Sequence, residues 1–334
     1  MSTSHSLASD IESSPLAYFL DLEPPQDDFL QDTLDGLSQP QKKLLPKYFY
    51  DKAGSALFDQ ICRTEEYYVT RTELALLKSK GPEISELSGD GCRVIEYGSG
   101  SSIKIRILLD ALEKPSEYVA VDISREHLCG AAVSIAEDYP DIKVGAICAD
   151  FTVPIDALDE ILLDEDSWLG FFPGSTIGNF DPAAARRLLE AYRQFLSPDG
   201  HLLIGVDLKK DRDTLTAAYN DDEGITAAFN KNILRRMCRE LGASVDVDAY
   251  EHCAFYNEQD GRVEMYLKSK RDQAISLNGH EFLITKDETI HTESSYKYHV
   301  DEFISLVEQT GFRSRAVWID DHNRFSLHFL SVVI

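Results

Sequence analysis

The chain has no cysteine pair at C-x-x-C spacing, no histidines at H-x-x-x-H or H-x-x-E-H spacing, and no apolar run approaching the length of a membrane span. Each absence closes a class of function. The six cysteines, at 62, 92, 129, 148, 238 and 253, include several in apolar stretches, which predicts reduced structural thiols rather than a disulfide framework or a zinc site. The nine histidines are scattered, so a catalytic metal has no support. Basic residues are scarce as well: 33 Lys and Arg stand against 58 Asp and Glu, a formal charge of −25. Such a surface repels phosphate backbones and anionic headgroups, so neither nucleic acid nor a membrane is expected as a partner. Most of the acid excess, Asp27-Asp28 and residues 159–166 included, reads as solvated surface. The opening MSTSHSLASDIESS lacks the basic and apolar blocks of a secretion signal, and the expected location is the cytoplasm.

What the chain does have is a rhythm. Between Cys92 and Asp207, short apolar runs at 93–97, 118–121, 143–148, 168–172 and 201–206 alternate with helical patterns, which predicts a parallel sheet wrapped by helices. After Asp207 the rhythm breaks. Helical stretches at 211–219 and 224–241 give way to alternating, strand-like segments at 254–256, 262–267 and 281–284. A helix over 298–310 and two strands at 314–319 and 325–334 then rejoin the sheet at its edge. The predicted fold is α/β, a Rossmann-like sheet carrying an inserted α+β domain. Residues 1–80 plus 208–298 are expected to form a substrate-binding domain, and 81–207 plus 299–334 the cofactor-binding domain, with the first capping the carboxyl ends of the strands. Of the first forty residues only 29–37 reads as a helix, and no chemistry is legible there.

The stretch RVIEYGSGSSIK, followed by a strand that ends on Asp122, points to a nucleoside-containing cofactor. A strand, a Gly98-Ser-Gly100 turn and a helix over 101–112 bring bare backbone close to a ligand, and an acid at the tip of the next strand can take both hydroxyls of a ribose. A dinucleotide fingerprint wants a third glycine, where Ile103 stands. An acid just before G-x-G and another closing the second strand suit S-adenosylmethionine instead, with Asp150-Phe151 ending a third strand. At the end of the fourth strand, GFFPGSTIGNF places Gly174, Gly178 and Asn179 where the reactive end of the cofactor lies, and Asn179 is the candidate contact to an acceptor substrate. Tyr50, Phe58, Tyr67, Tyr68, Tyr219, Glu293 and Ser295 each have a plain reading when taken alone, and spacing does not bring them together.

The blocks YFYDKAGSALFDQI, EEYYVTRTE, EYGSGSSIK, GSTIGNF, AYNDDEGITAAFN, VEMYL and TESSYKY, in this order, resemble the histidine Nα-methyltransferases of ergothioneine biosynthesis. The likeness runs from about Leu45 to the C-terminus and leaves the first forty or so residues outside. It implies a class I methyltransferase sheet and Nα-trimethylation of L-histidine to the betaine hercynine. Tyr67, Asn179 and Tyr219 would hold the carboxylate and amino end of the substrate, and Tyr50, Phe58 and Gly174 would surround the amine. Tyr50, Phe58 and Asn179 are thereby the catalytic candidates. Glu293 and Ser295 would read the imidazole, with Met265 packed nearby and Thr226 at a further pocket position. Tyr97, Gly98, Gly100, Lys104, Asp122, Asp150 and Phe151 match the S-adenosylmethionine site.

No histidine or lysine base falls in the matched pocket, so the ammonium proton is expected to leave through tyrosines and Asn179 to water. The expected protein is a monomer whose partner is a small molecule. Two other readings stay open. One is an N-methyltransferase of another small amine, such as the relatives that act on prenylated tryptophan or the domain fused to sulfoxide synthases in ovothiol formation. The other is a non-catalytic S-adenosylmethionine sensor. The intact Glu293, Ser295 and Met265 set, with no attached iron-binding domain, speaks against the first, and retention of a whole acceptor pocket against the second.

Overall fold

Apolar runs with two buried faces form the centre of the molecule. The computed structural model describes residues 14–22, 28–99, 102–151, 168–196 and 199–333. Strands β1 (Tyr18–Asp21), β2 (Arg93–Tyr97), β3 (Glu117–Asp122), β4 (Lys143–Cys148), β5 (Trp168–Phe172), β6 (His201–Asp207), β12 (Phe312–Ile319) and β13 (Phe325–Val332) make one eight-stranded sheet. Their order is β1-β4-β3-β2-β5-β6-β13-β12. The first six run parallel, whereas β13 is antiparallel to β6 and β12 antiparallel to β13. Valine, isoleucine and leucine fill β2 to β6 almost without a polar break because helices cover both faces. This is the Rossmann-like α/β architecture that the alternating rhythm predicts, and the last two strands rejoin the sheet as expected.

The order reverses at β2, which has β3 on one side and β5 on the other. Crossover connections leave in opposite directions there, so a crevice opens beyond its carboxyl end. Helices α4 (Ile103–Ala111) and α5 (Arg125–Asp138) follow β2 and β3, and α6 (Pro182–Phe195) follows β5. The N-terminal segment, silent in the sequence, supplies an edge strand: β1 pairs with β4, and the Tyr18 hydroxyl donates to Glu117 at 3.0 Å. Its four residues are too few for periodicity to reveal.

The remaining elements come from the N-terminal segment and from the stretch between β6 and β12. Helices α1 (Phe29–Leu37), α2 (Lys52–Ile61) and α3 (Tyr68–Ser88) precede β2. After β6 come α7 (Arg212–Ala217), α8 (Ile225–Leu241), an antiparallel sheet of β7 (Tyr250–Asn257), β8 (Arg262–Ser269) and β11 (Thr289–Tyr296), and a hairpin of β9 (Gln273–Leu277) and β10 (His280–Ile284). Helix α9 (Val300–Gln309) leads back to the main sheet. Asp51 caps α2 by accepting from the Gly54 N–H at 2.7 Å, and the same oxygen takes Asn232 of α8 at 2.8 Å. One carboxylate thus starts a helix and docks it onto the inserted segment. Among the described residues no helix is long and apolar enough to cross a membrane.

Helix α3 reaches the sheet through a glycine. A Cβ at Gly205 of β6 would come within 2.2 Å of Glu73 Oε1 and 2.9 Å of the Phe325 ring, so the bare backbone there makes room for a buried glutamate. We predict that Gly205→Ala destabilises the protein by about 1–3 kcal/mol through overpacking. Urea denaturation should show a lower midpoint at unchanged slope; an unaltered midpoint would mean that Glu73 moves aside without cost.

Candidate active site

The crevice beyond β2 holds the first group of site residues. After Tyr97, whose ring stacks on Tyr192 at 4.0 Å, the chain turns at Gly98 with φ +76°, a left-handed conformation that favours glycine. A Cβ at that position would sit 3.5 Å from the Phe151 ring, so main chain and aromatic face flank one slot. Asp122 at the tip of β3 accepts from the Ser124 N–H at 2.8 Å, and burial raises its carboxyl although that N–H opposes the shift. Glu96, on the neighbouring strand β2, takes the Tyr118 hydroxyl at 2.7 Å and is pushed by burial to about 7. Asp150 and Phe151 follow β4. Gly100 lies outside the described residues.

Lys104, on α4, does not offer its charge to a phosphate. Its ammonium lies 2.6 Å from the fully buried Glu73, and both carboxylate oxygens of Glu73 also accept from the Gly174 N–H, at 2.8 and 3.0 Å. With the lysine paired, the described residues of this crevice give it acids and an aromatic wall and no cationic cradle for a pyrophosphate. It fits an uncharged ribose beside a sulfonium, which is the chemistry of S-adenosylmethionine. Glu73 was not legible as a site residue; it is one glutamate among several on a long helix.

The second group lies on the cap. Tyr50 edges onto Phe58 at 5.6 Å, Phe58 onto Tyr67 at 6.2 Å and Tyr67 onto Tyr219 at 6.3 Å between ring centroids. Phe229 of α8, which sequence reasoning missed, closes the ring at 5.6 Å from Tyr50 and 6.0 Å from Phe58. Its place within the AAFN block was the available signal. Thr226, buried one turn earlier on the same helix, hangs its N–H on Asp221 at 2.7 Å. Tyr50 remains 45% exposed, at the mouth of the group.

Strand β11 supplies the polar side. Glu293 stands opposite Met265 of β8, and the register shifts between His291 and Glu293, a bulge that re-aims the residues after it. Burial pushes the Glu293 carboxyl up to about 7, opposed by Lys297. Burial also raises the phenols of Tyr67 and Tyr219, and the Glu293 charge adds to the rise. Tyr219 and Ser295 hydroxyls are 2.8 Å apart. A Cβ at Gly178 would meet Tyr296 O at 2.6 Å and Ser295 Oγ at 3.4 Å, so a glycine lets the GSTIGNF turn press against β11; Asn179, the next residue, is exposed.

Sequence reasoning did not single out one lysine that lies against the hydroxyls of this group. Lys297 is buried, with Nζ 2.8 Å from the Tyr219 hydroxyl, 2.9 Å from Ser295 Oγ and 2.7 Å from Asp207 Oδ2. It is no base: burial alone would favour its neutral form, but Asp207 outweighs that and raises its pKa above the ordinary lysine value. Alternation was the signal, since 293, 295 and 297 share one face.

A family model described as "Histidine-specific methyltransferase, SAM-dependent" matches residues 29–332. The chain is 36% identical over 317 residues to the histidine N-alpha-methyltransferase of Mycolicibacterium smegmatis, covering 93% of this chain and 97% of that protein. It is 30% identical to ergothioneine biosynthesis protein 1 of Neurospora crassa over 84% of this chain, which is 32% of that longer protein. The L-tryptophan methyltransferase trpM of Psilocybe serbica is 28% identical over 88% of this chain and 90% of its own length.

The half-buried Glu293 carboxyl makes a pH prediction. Its pKa rises from an ordinary 4.5 to about 7 on folding, so between these values the folded state binds more protons and stability falls as pH rises. The penalty is absent below the lower value and complete above the upper one. Glu293→Gln is therefore expected to raise Tm of the ligand-free protein at about pH 8 and leave it unchanged at about pH 4. Equal shifts at both pH values, by scanning calorimetry, would assign the effect to packing.

Proposed function

Since the chain belongs to the family of histidine-specific, S-adenosylmethionine-dependent methyltransferases, we propose that the cleft between Gly98 and Glu293 is where the α-amine of L-histidine is methylated three times to hercynine. Its reaction is the S-adenosylmethionine-dependent N-methylation of histidine, a step of ergothioneine biosynthesis. The observation that supports the site reading is the convergence of Glu293, Ser295, Tyr67 and Tyr219 on one side with the Gly174–Asn179 turn, which Glu73 ties to Lys104 of the cofactor crevice.

The cofactor, when bound, supplies a methyl carbon activated by a sulfonium. Everything else falls to the chain. Tyr97, Gly98, Gly100, Asp122, Asp150 and Phe151 would hold that cofactor, Asp122 at its ribose, with Lys104 lining the crevice while its charge stays on Glu73. Tyr67, Tyr219 and Asn179 hold the carboxylate end of histidine, and Gly174 lies against the amine. Orientation is the main contribution, because an in-line displacement needs the lone pair held close behind the carbon. Rings from Tyr50, Phe58 and Phe229 surround a nitrogen that gains methyl groups and finally carries a fixed charge. A cation against an aromatic face gains about 0.5–2 kcal/mol without any N–H contact, so the pocket tolerates each product of the series. The ammonium proton leaves through the Tyr50 side, the exposed rim of the cluster, to water.

Glu293 accepts from one imidazole nitrogen and Ser295 faces the other, with Met265 and Thr226 packing the ring. A pocket built around such bonds rejects an analogue without them by about 10⁴. The free state of all six cysteines accords with a cytoplasmic enzyme, and we place it there as a monomer.

Incubated with histidine and S-adenosylmethionine, the protein is expected to yield mono-, di- and trimethylhistidine by mass spectrometry. A panel of amino acids tests the assignment: consumption of tryptophan or another amine, with histidine untouched, overturns it. Phenylalanine should react about 10⁴-fold less efficiently than histidine. Glu293→Ala should lower kcat/KM for histidine by about 10- to 100-fold, the worth of one charged hydrogen bond, while S-adenosylhomocysteine binding is kept. Parallel loss of both would mark Glu293 as structural.

A further inference from the structure

Lys297 takes no direct part in the reading above, yet it touches both hydroxyls that do. An ammonium has three N–H donors and no lone pair. Here Nζ donates to Tyr219 Oη at 2.8 Å and to Ser295 Oγ at 2.9 Å, and it forms an ion pair with Asp207 Oδ2 at 2.7 Å. Its side chain is 1% exposed and that of Asp207 fully buried, so water offers no substitute partners. Asp207 in turn is held at its other oxygen by Tyr68, at 2.7 Å, and by Lys210, also at 2.7 Å. The ammonium is anchored on a carboxylate that cannot swing away.

Each hydroxyl that accepts from Lys297 still has its own proton to give. Tyr219 and Ser295 are 2.8 Å apart, so one of these protons joins the pair and the other remains for a ligand. Without the ammonium either oxygen could turn a lone pair toward the cleft. With it, the pair presents a donor, backed by a positive charge, and a carboxylate is the substrate group that such a donor matches. The carboxylate of Glu293 is the other anion nearby, and it lies four residues back along the same strand, on the imidazole side.

From this arrangement we infer that Lys297, clamped by Asp207, is a positioning residue that makes the joined Tyr219–Ser295 pair present a donor at its Tyr219 end of the cleft, and so sets the affinity of the pocket for an amino acid's carboxylate without touching it. The inference rests on the reading of Tyr219 as holder of that carboxylate. It extends specificity to the end of the substrate away from the imidazole: histidine is distinguished from histidinol, which differs in having an alcohol there.

The test uses Lys297→Met, which leaves Asp207 paired with Lys210, and Lys297→Gln, which keeps an N–H donor. Either suffices if it binds S-adenosylhomocysteine with wild-type affinity. KM for histidine is expected to rise by about 10- to 100-fold in Lys297→Met with kcat changed far less, and by a smaller factor in Lys297→Gln. Calorimetry on the S-adenosylhomocysteine complexes should show histidine bound at least about 10-fold more tightly than histidinol by the wild type, with the ratio collapsing toward one in Lys297→Met. Lys210→Met, which removes the other ammonium from the same carboxylate, should leave that ratio intact. A ratio unchanged in Lys297→Met, or lost equally in Lys210→Met, overturns the inference while histidine methylation by the wild type still stands. Failure of the wild type to methylate histidine is a separate outcome and removes the functional reading beneath it.

Discussion

Asp207 holds the cleft together. It closes β6 at the carboxyl end of the main sheet, fully buried, and its two oxygens engage Tyr68 at the start of α3, Lys210 just beyond the strand and Lys297 from the cap. Its backbone N–H donates to Ser175 in the turn that carries Gly174 and Asn179, at 2.9 Å. Sheet, N-terminal helices, inserted segment and acceptor turn thus meet at one residue. Two cations outweigh the desolvation of the carboxylate and hold its pKa below the ordinary range. Removing one partner from such a buried set typically costs about 3–5 kcal/mol, because the remaining charge has no water to turn to. The arrangement is a constraint on geometry more than a source of net stability.

Glu73 makes the corresponding link on the cofactor side. By engaging Lys104 and the Gly174 N–H together, it couples the first helix after β2 to the turn after β5, across the point where the strand order reverses. Two buried carboxylates therefore govern one distance, that between the crevice over Gly98 and the hydroxyls on β11. Methyl transfer needs little acid-base power but a tightly set approach, so ion pairs are spent on placement. Glu96 and Glu293 differ from them: burial leaves both near 7, although the Tyr118 hydroxyl opposes the shift at Glu96 and Lys297 opposes it at Glu293.

The core of the sheet was legible because parallel strands buried on both faces must be continuous apolar runs, and the turn at Gly98 because only bare backbone fits there. β1 was not, since four residues at a sheet edge carry no period. Residues in the insertion could be listed but not located: Tyr50, Tyr67, Tyr219 and Glu293 span more than two hundred positions and meet only through packing of α2, α8 and β11. The bulge before Glu293 also escapes pattern reading, because it shifts the face on which alternation places every later side chain. Gly178 reads as a turn residue, although what demands it is the backbone of β11 pressed against it.

By itself the sequence determined the α/β sheet, the crevice at its switch point, the nucleoside cofactor and, through dispersed blocks, the family, for these rest on local periodicity and on residue types at short spacing. Tertiary structure alone decided that Lys297 backs the acceptor hydroxyls, that Glu73 silences Lys104, and that Phe229 completes the aromatic ring. Those facts depend on distances between segments far apart in the chain, and the strength of a buried charge is set by what the fold brings within about 3 Å of it, which no pattern along the chain encodes.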